Sequence, residues 1–203
     1  MRPGTLGSAA FALVAISMLA YAALGTSRAA GPAPDSMTVD MDITGNTASG
    51  LPVGHTEVLG TVESCIVATA GSNVTFDVTV QNIPASNPMI AFFFLLNYDP
   101  AHLSVTAAGT GFFLAANAGS STLVAGDETL LPDSDGALAA AVVDIGSGTA
   151  ARESGSGVLE RLTVAVAGDA PDGLYDLTLD GAQSGIEDPP SQLWPPDAVF
   201  NGR

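Results

Sequence analysis

Residues 74–80 alternate strictly, with Val74, Phe76, Val78 and Val80 apolar and Thr75, Asp77 and Thr79 polar between them. A period of two belongs to a strand that buries one face and wets the other. Segments 38–43, 58–68, 90–98, 103–107, 138–145, 159–166 and 174–179 are likewise rich in β-branched or aromatic residues and are bounded by Gly, Pro, Asn or Asp, so each is predicted to be a strand. Apart from an apolar run near the N-terminus, no window repeats apolar residues at the helical spacing, and 111–118 predicts no more than a helical turn. Proline and glycine punctuate 83–88, 99–100 and 169–173, where proline fixes φ and glycine frees it for turns. Short strands joined by such turns predict an all-β antiparallel sandwich.

Two stretches fall outside this pattern. Residues 109–136 form a long connection rich in Gly, Ala and Ser, the kind of segment that carries binding loops on a rigid scaffold. Residues 187–203, with Pro189-Pro190 and Pro195-Pro196 flanking Trp194, are expected to be extended and irregular, ending in Ala198-Val199-Phe200 as a strand cut short. No internal repeat or long linker divides 31–203, which is read as one domain.

The N-terminus has a different character. Arg2 precedes an apolar run from Ala9 to Ala23, and Ser27-Arg28-Ala29 supplies small residues for cleavage. Residues 1–30 are therefore read as a secretory signal helix, which places the mature chain outside the cell or at its surface. An uncleaved signal would be the chain's only membrane anchor. About 170 residues remain, enough for one sizeable core.

Charge narrows the function. The chain carries 21 acidic side chains against 5 basic ones, a net charge of -16, and the basic residues are all arginine. Phosphate backbones are bound by clustered Lys and Arg, so nucleic acid is excluded as a main partner. Without lysine there is no phosphate-loop or Schiff-base chemistry. Cys65 is the single cysteine and can form no internal disulfide; its apolar run Cys65-Ile66-Val67-Ala68 suggests burial.

The run from Val74 to Pro84, followed by Pro88-Met89-Ile90-Ala91-Phe92-Phe93-Phe94-Leu95-Leu96-Asn97-Tyr98-Asp99-Pro100-Ala101-His102-Leu103-Ser104-Val105, resembles the second and third strands of bacterial cohesin domains. Downstream, Gly157-Val158-Leu159-Glu160-Arg161-Leu162-Thr163-Val164 and the turn Gly168-Asp169-Ala170-Pro171-Asp172-Gly173 resemble their closing strands. The resemblance covers roughly 37–181. It implies a jelly-roll β-sandwich of about eight to nine strands, related in fold to cellulose-binding modules, that binds dockerin modules and is not catalytic. It also implies that Asn97 and Asp99, which match an "NYD" run, are hydrogen-bonding groups for the partner.

On a strand through 91–99, Phe93, Leu95, Asn97 and Asp99 share one face and Phe92, Phe94, Leu96 and Tyr98 the other. Two polar groups beside two apolar ones make a partner-binding surface. The alternative is that the chain's own loop covers Phe93 and Leu95 while Asn97 and Asp99 serve the turn at Pro100.

Other chemistry is sparse. His55 and His102 lack metal-ligand spacing, and the Gly-Ser-Gly tripeptides at 146–148 and 155–157 lack the strand–turn–helix context of a nucleophile elbow. No catalytic residue and no cofactor are expected. Asp133-Ser134-Asp135-Gly136 and Asp40-Met41-Asp42 with Asn46 bring together oxygen donors of the kind calcium takes, but no closing bidentate acid completes either loop, which makes them solvated turns. Asn73-Val74-Thr75 is a glycosylation sequon whose use depends on the source. The expected function is a secreted, non-catalytic binding module for a dockerin-bearing protein. The alternative is a carbohydrate-binding module that contacts polysaccharide through Trp194.

Overall fold

The computed structural model describes residues 36–47, 58–110, 112–116, 119–146, 153–181, 184–188, 192–194 and 199–200. Its strands in chain order are β1 (Ser36–Asp40), β2 (Asn73–Ile83), β3 (Ala91–Asn97), β4 (Leu103–Thr110), β5 (Thr122–Val124), β6 (Ala137–Asp144), β7 (Gly155–Val166), β8 (Thr178–Leu179), β9 (Gly185–Asp188), β10 (Gln192–Trp194) and β11 (Val199–Phe200), with 3-10 turns at Phe113–Ala115 and Asp127–Thr129. One sheet runs β11-β1-β2-β7-β4 and the other β10-β9-β3-β6-β5, with β8 beside β3. All these pairings are antiparallel except β1 with β11.

The alternation in the sequence decides what faces inward. Phe76, Val78, Leu162, Val164 and Val105 from the first sheet meet Phe92, Phe94, Leu96, Leu138 and Val142 from the second, all essentially free of solvent contact. Phe92 and Phe94 lie parallel with ring centroids 6.1 Å apart. Each such side chain contributes about 2–3 kcal/mol by leaving water. Phe113 and Leu114 of the first 3-10 turn close one part of this core, so the helical turn expected near 111–118 is present.

Several expectations are corrected. The segment 58–68 is not a strand: it carries no ladder and is mostly exposed, with Val67 97% accessible and Cys65 exposed rather than buried. Its apolar side chains suit a pleated surface, but the segment wraps over an existing sheet instead of joining one, and strand preference depends on packing partners. That strap explains a second difference. Asp77 and Thr79, on the face expected to be wet, are fully buried. Met41 N–H donates to the Glu63 carbonyl at 2.7 Å, Glu63 N–H to Asp40 Oδ1 at 3.0 Å, and Asn46 Nδ2 to both Asp40 Oδ2 and Asp77 Oδ2 at 2.9 Å.

Of the strand expected at 174–179, Thr178–Leu179 form β8 beside β3 and Leu177 makes a single bridge, while 174–176 join no ladder. Leu174 stays exposed and Tyr175 Oη donates to the Pro171 carbonyl, holding this stretch to the preceding turn. The stretch expected to be irregular after residue 187 instead supplies β10, paired with β9, whereas the short strand expected at 198–200 is present as β11, whose Val199 and Phe200 lie alongside Met37 and Thr38. Short strands such as these raise the total above the expected eight to nine. The expected signal helix lies outside the described residues.

Candidate docking surface

In β3 the even positions Phe92, Phe94 and Leu96 are buried, while Phe93, Leu95 and Asn97 are half-buried on the outer face. Register supplies their neighbours. Phe93 lies opposite Ala141 of β6 and Gly185 of β9, Leu95 opposite Ala139, and Asn97 opposite Ala137 and Thr178. The inward residues of β6 are Leu138, Ala140 and Val142, so Ala137, Ala139 and Ala141 point outward with Phe93, Leu95 and Asn97. Side chains of one carbon beside a phenyl ring and an isobutyl group make a low, flat apolar surface. Leu123 of β5, opposite Val143 of β6 and 51% exposed, extends it toward the sheet edge.

Asp99 lies near this surface but not in its ladder. β3 ends at Asn97, and the Asp99 side chain, 47% exposed, accepts the Ala101 N–H at 2.9 Å with one oxygen and lies 4.0 Å from His102 Nε2 with the other. The Asp99 carbonyl also accepts the His102 and Leu103 N–H groups. Proline at 100 forces the chain to turn, and Asp99 caps that turn. Phe93, Leu95 and Asn97 are thus brought together on one rigid strand, with Asp99 beyond its end.

The sequence reading did not single out Ala137, Ala139, Ala141 and Leu123. Alanine carries little hydrophobic signal, and only strand register shows what it adjoins. The free edge of β6 beyond β5 is also covered in an unusual way. Asp127 Oδ2 accepts the Ala139 N–H at 3.1 Å, Glu128 Oε1 accepts the Ala141 N–H at 3.3 Å, and Ala125 N–H donates to the Ala141 carbonyl at 2.9 Å. Carboxylates on an open edge deter further strand addition.

The remaining candidate sites resolve into structural roles. Asp133 pairs with Val105 through both backbone groups at 2.9 and 2.8 Å and accepts the Tyr98 O–H, which together with burial raises the Tyr98 pKa. Asp135 accepts the Ala137 N–H, and Gly136 adopts φ +100 with the Pro100 ring 3.1 Å from where a Cβ would stand. These acids hold a turn against the Pro100 corner. Asp40 and Asp42 likewise accept backbone N–H groups. Among the described residues no group of three or more His, Cys, Asp or Glu is placed to hold a metal. A cleft of about 490 Å³ is lined by Leu59, Gly60, Val62, Gln81 and Ser156; it holds no ionisable group, and Ser156 Oγ accepts the Asn82 N–H. His102 stacks edge-on with Tyr175, and His55 lies outside the described residues. Trp194 belongs to β10, paired with Ile186 at the far edge of the same sheet, two strands from β3. Among the described residues no helix is long and apolar enough to cross a membrane.

Comparison with known proteins bears on this sandwich and its outer face. No curated protein sequence matches the chain. Among solved structures, the third cohesin of ScaC from Acetivibrio cellulolyticus, in complex with the ScaB dockerin, is 22% identical with a TM-score of 0.52, over 66% of this chain and 88% of that one. The OlpC cohesin from Clostridium thermocellum, in a type I cohesin–dockerin complex, is 17% identical with a TM-score of 0.54, over 86% and 96%. A cohesin from Clostridium acetobutylicum is 16% identical with a TM-score of 0.52, over 83% and 89%. These likenesses concern the fold. The Cohesin domain family model matches residues 58–189, from the strap through β9 and including β2 to β9, and on that match the chain belongs to the cohesin family.

Proposed function

We propose that this chain is a non-catalytic dockerin-binding module that works outside the cell, delivered there by the signal at 1–30. The observation that carries the reading is the outer face of β3 and β6. Phe93, Leu95 and Asn97 lie in register with Ala137, Ala139 and Ala141 on the centre of a sheet whose other face is the core. Such a surface is rigid before binding, so a partner loses little free energy in ordering it. Phe93 and Leu95 offer apolar anchors, and Asn97 offers both a donor and an acceptor. Cohesins solved in complex with dockerins share this fold, and dockerin is therefore the partner class we assign. Asp99 contributes from the rim.

The test is capture of recombinant dockerin modules on the immobilised chain, compared with a Phe93→Ala, Leu95→Ala variant. Loss of the captured dockerin in the variant, with its thermal unfolding unchanged within a few degrees, supports the surface. Equal capture by both, or capture of no dockerin from a broad panel, would overturn the reading.

A further inference from the structure

Glu160 lies on the inner face of β7, in phase with the core residues Leu162 and Val164, and is fully buried. Neither of its carboxyl oxygens has a hydrogen-bond partner among the described residues. Glu128 enters from the second 3-10 turn, 8% exposed, with Oε1 on the Ala141 N–H and Oε2 without a partner. The charge that reaches Glu160 is that of Glu128.

Among the described residues the surroundings supply no compensating cation. β6 presents Leu138, Ala140 and Val142 inward, and the first 3-10 turn presents Phe113 and Leu114. β2 places Val78 opposite Glu160, and β4 carries no ionisable residue. Arg161, next in the chain, turns to the opposite face of the sheet and holds Asp77. Asp127 is the acid whose charge acts on Glu128, and Asp144 on β6 is occupied by the Ser121 and Gly146 N–H groups. Glycine at 126 makes room for this arrangement: a Cβ there would stand 1.8 Å from Glu128 Oε2 and 2.4 Å from the Ala139 carbonyl.

From this geometry we propose that Glu128 and Glu160 form a proton-dependent latch that regulates the candidate docking face. While either acid holds a proton, the turn Asp127–Thr129 lies along the β6 edge and caps Ala139 and Ala141. When both are ionised, the repulsion of two buried like charges drives the more exposed Glu128 toward water, and the cap on β6 is released. The latch rests on the docking reading only in that its target edge belongs to that face; the acids and their contacts do not depend on a partner. Burial raises Glu160 to about 9 and Glu128 to about 7, which sets release on the alkaline side of neutrality.

The test is a pH titration from 5.5 to 10 of the full chain, labelled with nitrogen-15, following the Ala139 and Ala141 amide resonances. The expected result is two steps shared by both amides, with the upper step absent in Glu160→Gln. In Glu128→Gln the Ala141 response is lost and the remaining step moves down by a pH unit or more. Amides that ignore pH, or an upper step that survives Glu160→Gln, would overturn the latch. Because no partner is present, that failure leaves the docking reading intact, and failed dockerin capture leaves the latch intact.

Discussion

Arg161 grips Asp77 with two parallel hydrogen bonds, Nε to Oδ1 at 2.7 Å and Nη2 to Oδ2 at 2.8 Å, beneath the strap that covers the first sheet. Asp77 is fully buried and lies directly opposite Asp40, also fully buried, in the β1–β2 ladder. Two carboxylates facing each other without water require a cation, and Arg161 supplies it while Asn46 bridges them. Arg161→Ala strands two buried negative charges. The expected cost is about 3–5 kcal/mol, measured as a lower urea midpoint with an unchanged slope. A loss below about 1 kcal/mol would show that the strap, and not the arginine, holds the network.

How much of this was legible in the sequence differs from residue to residue. Phe76, Val78, Phe92 and Phe94 announce their faces by strict alternation, because a period of two leaves no other way to bury them. Glu160 obeys the same period as Leu162 and Val164, yet a charged residue is expected outside, so the reading passed over it. Cys65 and Val67 carry strand-like side chains, but whether they pair depends on the sheet beneath, which only the fold supplies. The polar face of β2 reads as wet because nothing in the sequence shows that the strap just before it folds back over the sheet. On the candidate face, Phe93 and Leu95 stand out by size, whereas Ala139 and Ala141 become meaningful only through register with β3.

That register makes Ala139 the most sensitive probe of docking. Its Cβ stands opposite Leu95 at the centre of the outer face, and Ala139→Arg would raise a long, charged side chain above an otherwise flat surface. Dockerin binding is expected to weaken at least about 100-fold, roughly 3 kcal/mol, because the bulk excludes the partner from the apolar centre. The fold should tolerate an outward side chain, so unfolding shifts by less than about 1 kcal/mol. Isothermal titration with a captured dockerin reads the first quantity and thermal unfolding the second. Unchanged affinity would move the site off this sheet.

Cys65 sits exposed on the strap. The native chain is expected to react with a thiol reagent such as dithiobis-nitrobenzoate at a rate within about tenfold of the urea-unfolded chain, since reactivity follows thiolate access. Cys65→Ser is expected to change stability by less than about half a kcal/mol, as surface substitutions do. A reaction hundreds of times slower in the native state would mean that the strap packs its thiol inward.

The buried acids also set how stability varies with pH. The ordinary glutamate value of 4.5 rises to about 9 at Glu160 and about 7 at Glu128, chiefly because burial penalises the charged form. The folded chain therefore keeps protons that the unfolded chain has already released. The resulting stabilisation is fully present below pH 4.5 and is lost as pH rises, through about 7 for Glu128 and about 9 for Glu160. Each group contributes at most about 1.4 kcal/mol per pH unit within its window, so moving from pH 5.5 to 8.5 is expected to cost about 3 kcal/mol or more. Glu160→Leu replaces the unpartnered carboxyl with an apolar group beside Leu162 and Val78 and should flatten the curve, making the variant more stable than the parent at pH 8.5. Urea unfolding at half-unit steps of pH measures both curves. Parallel profiles for the two proteins would mean that Glu160 reaches water in the folded state and that its burial does not govern the alkaline limb.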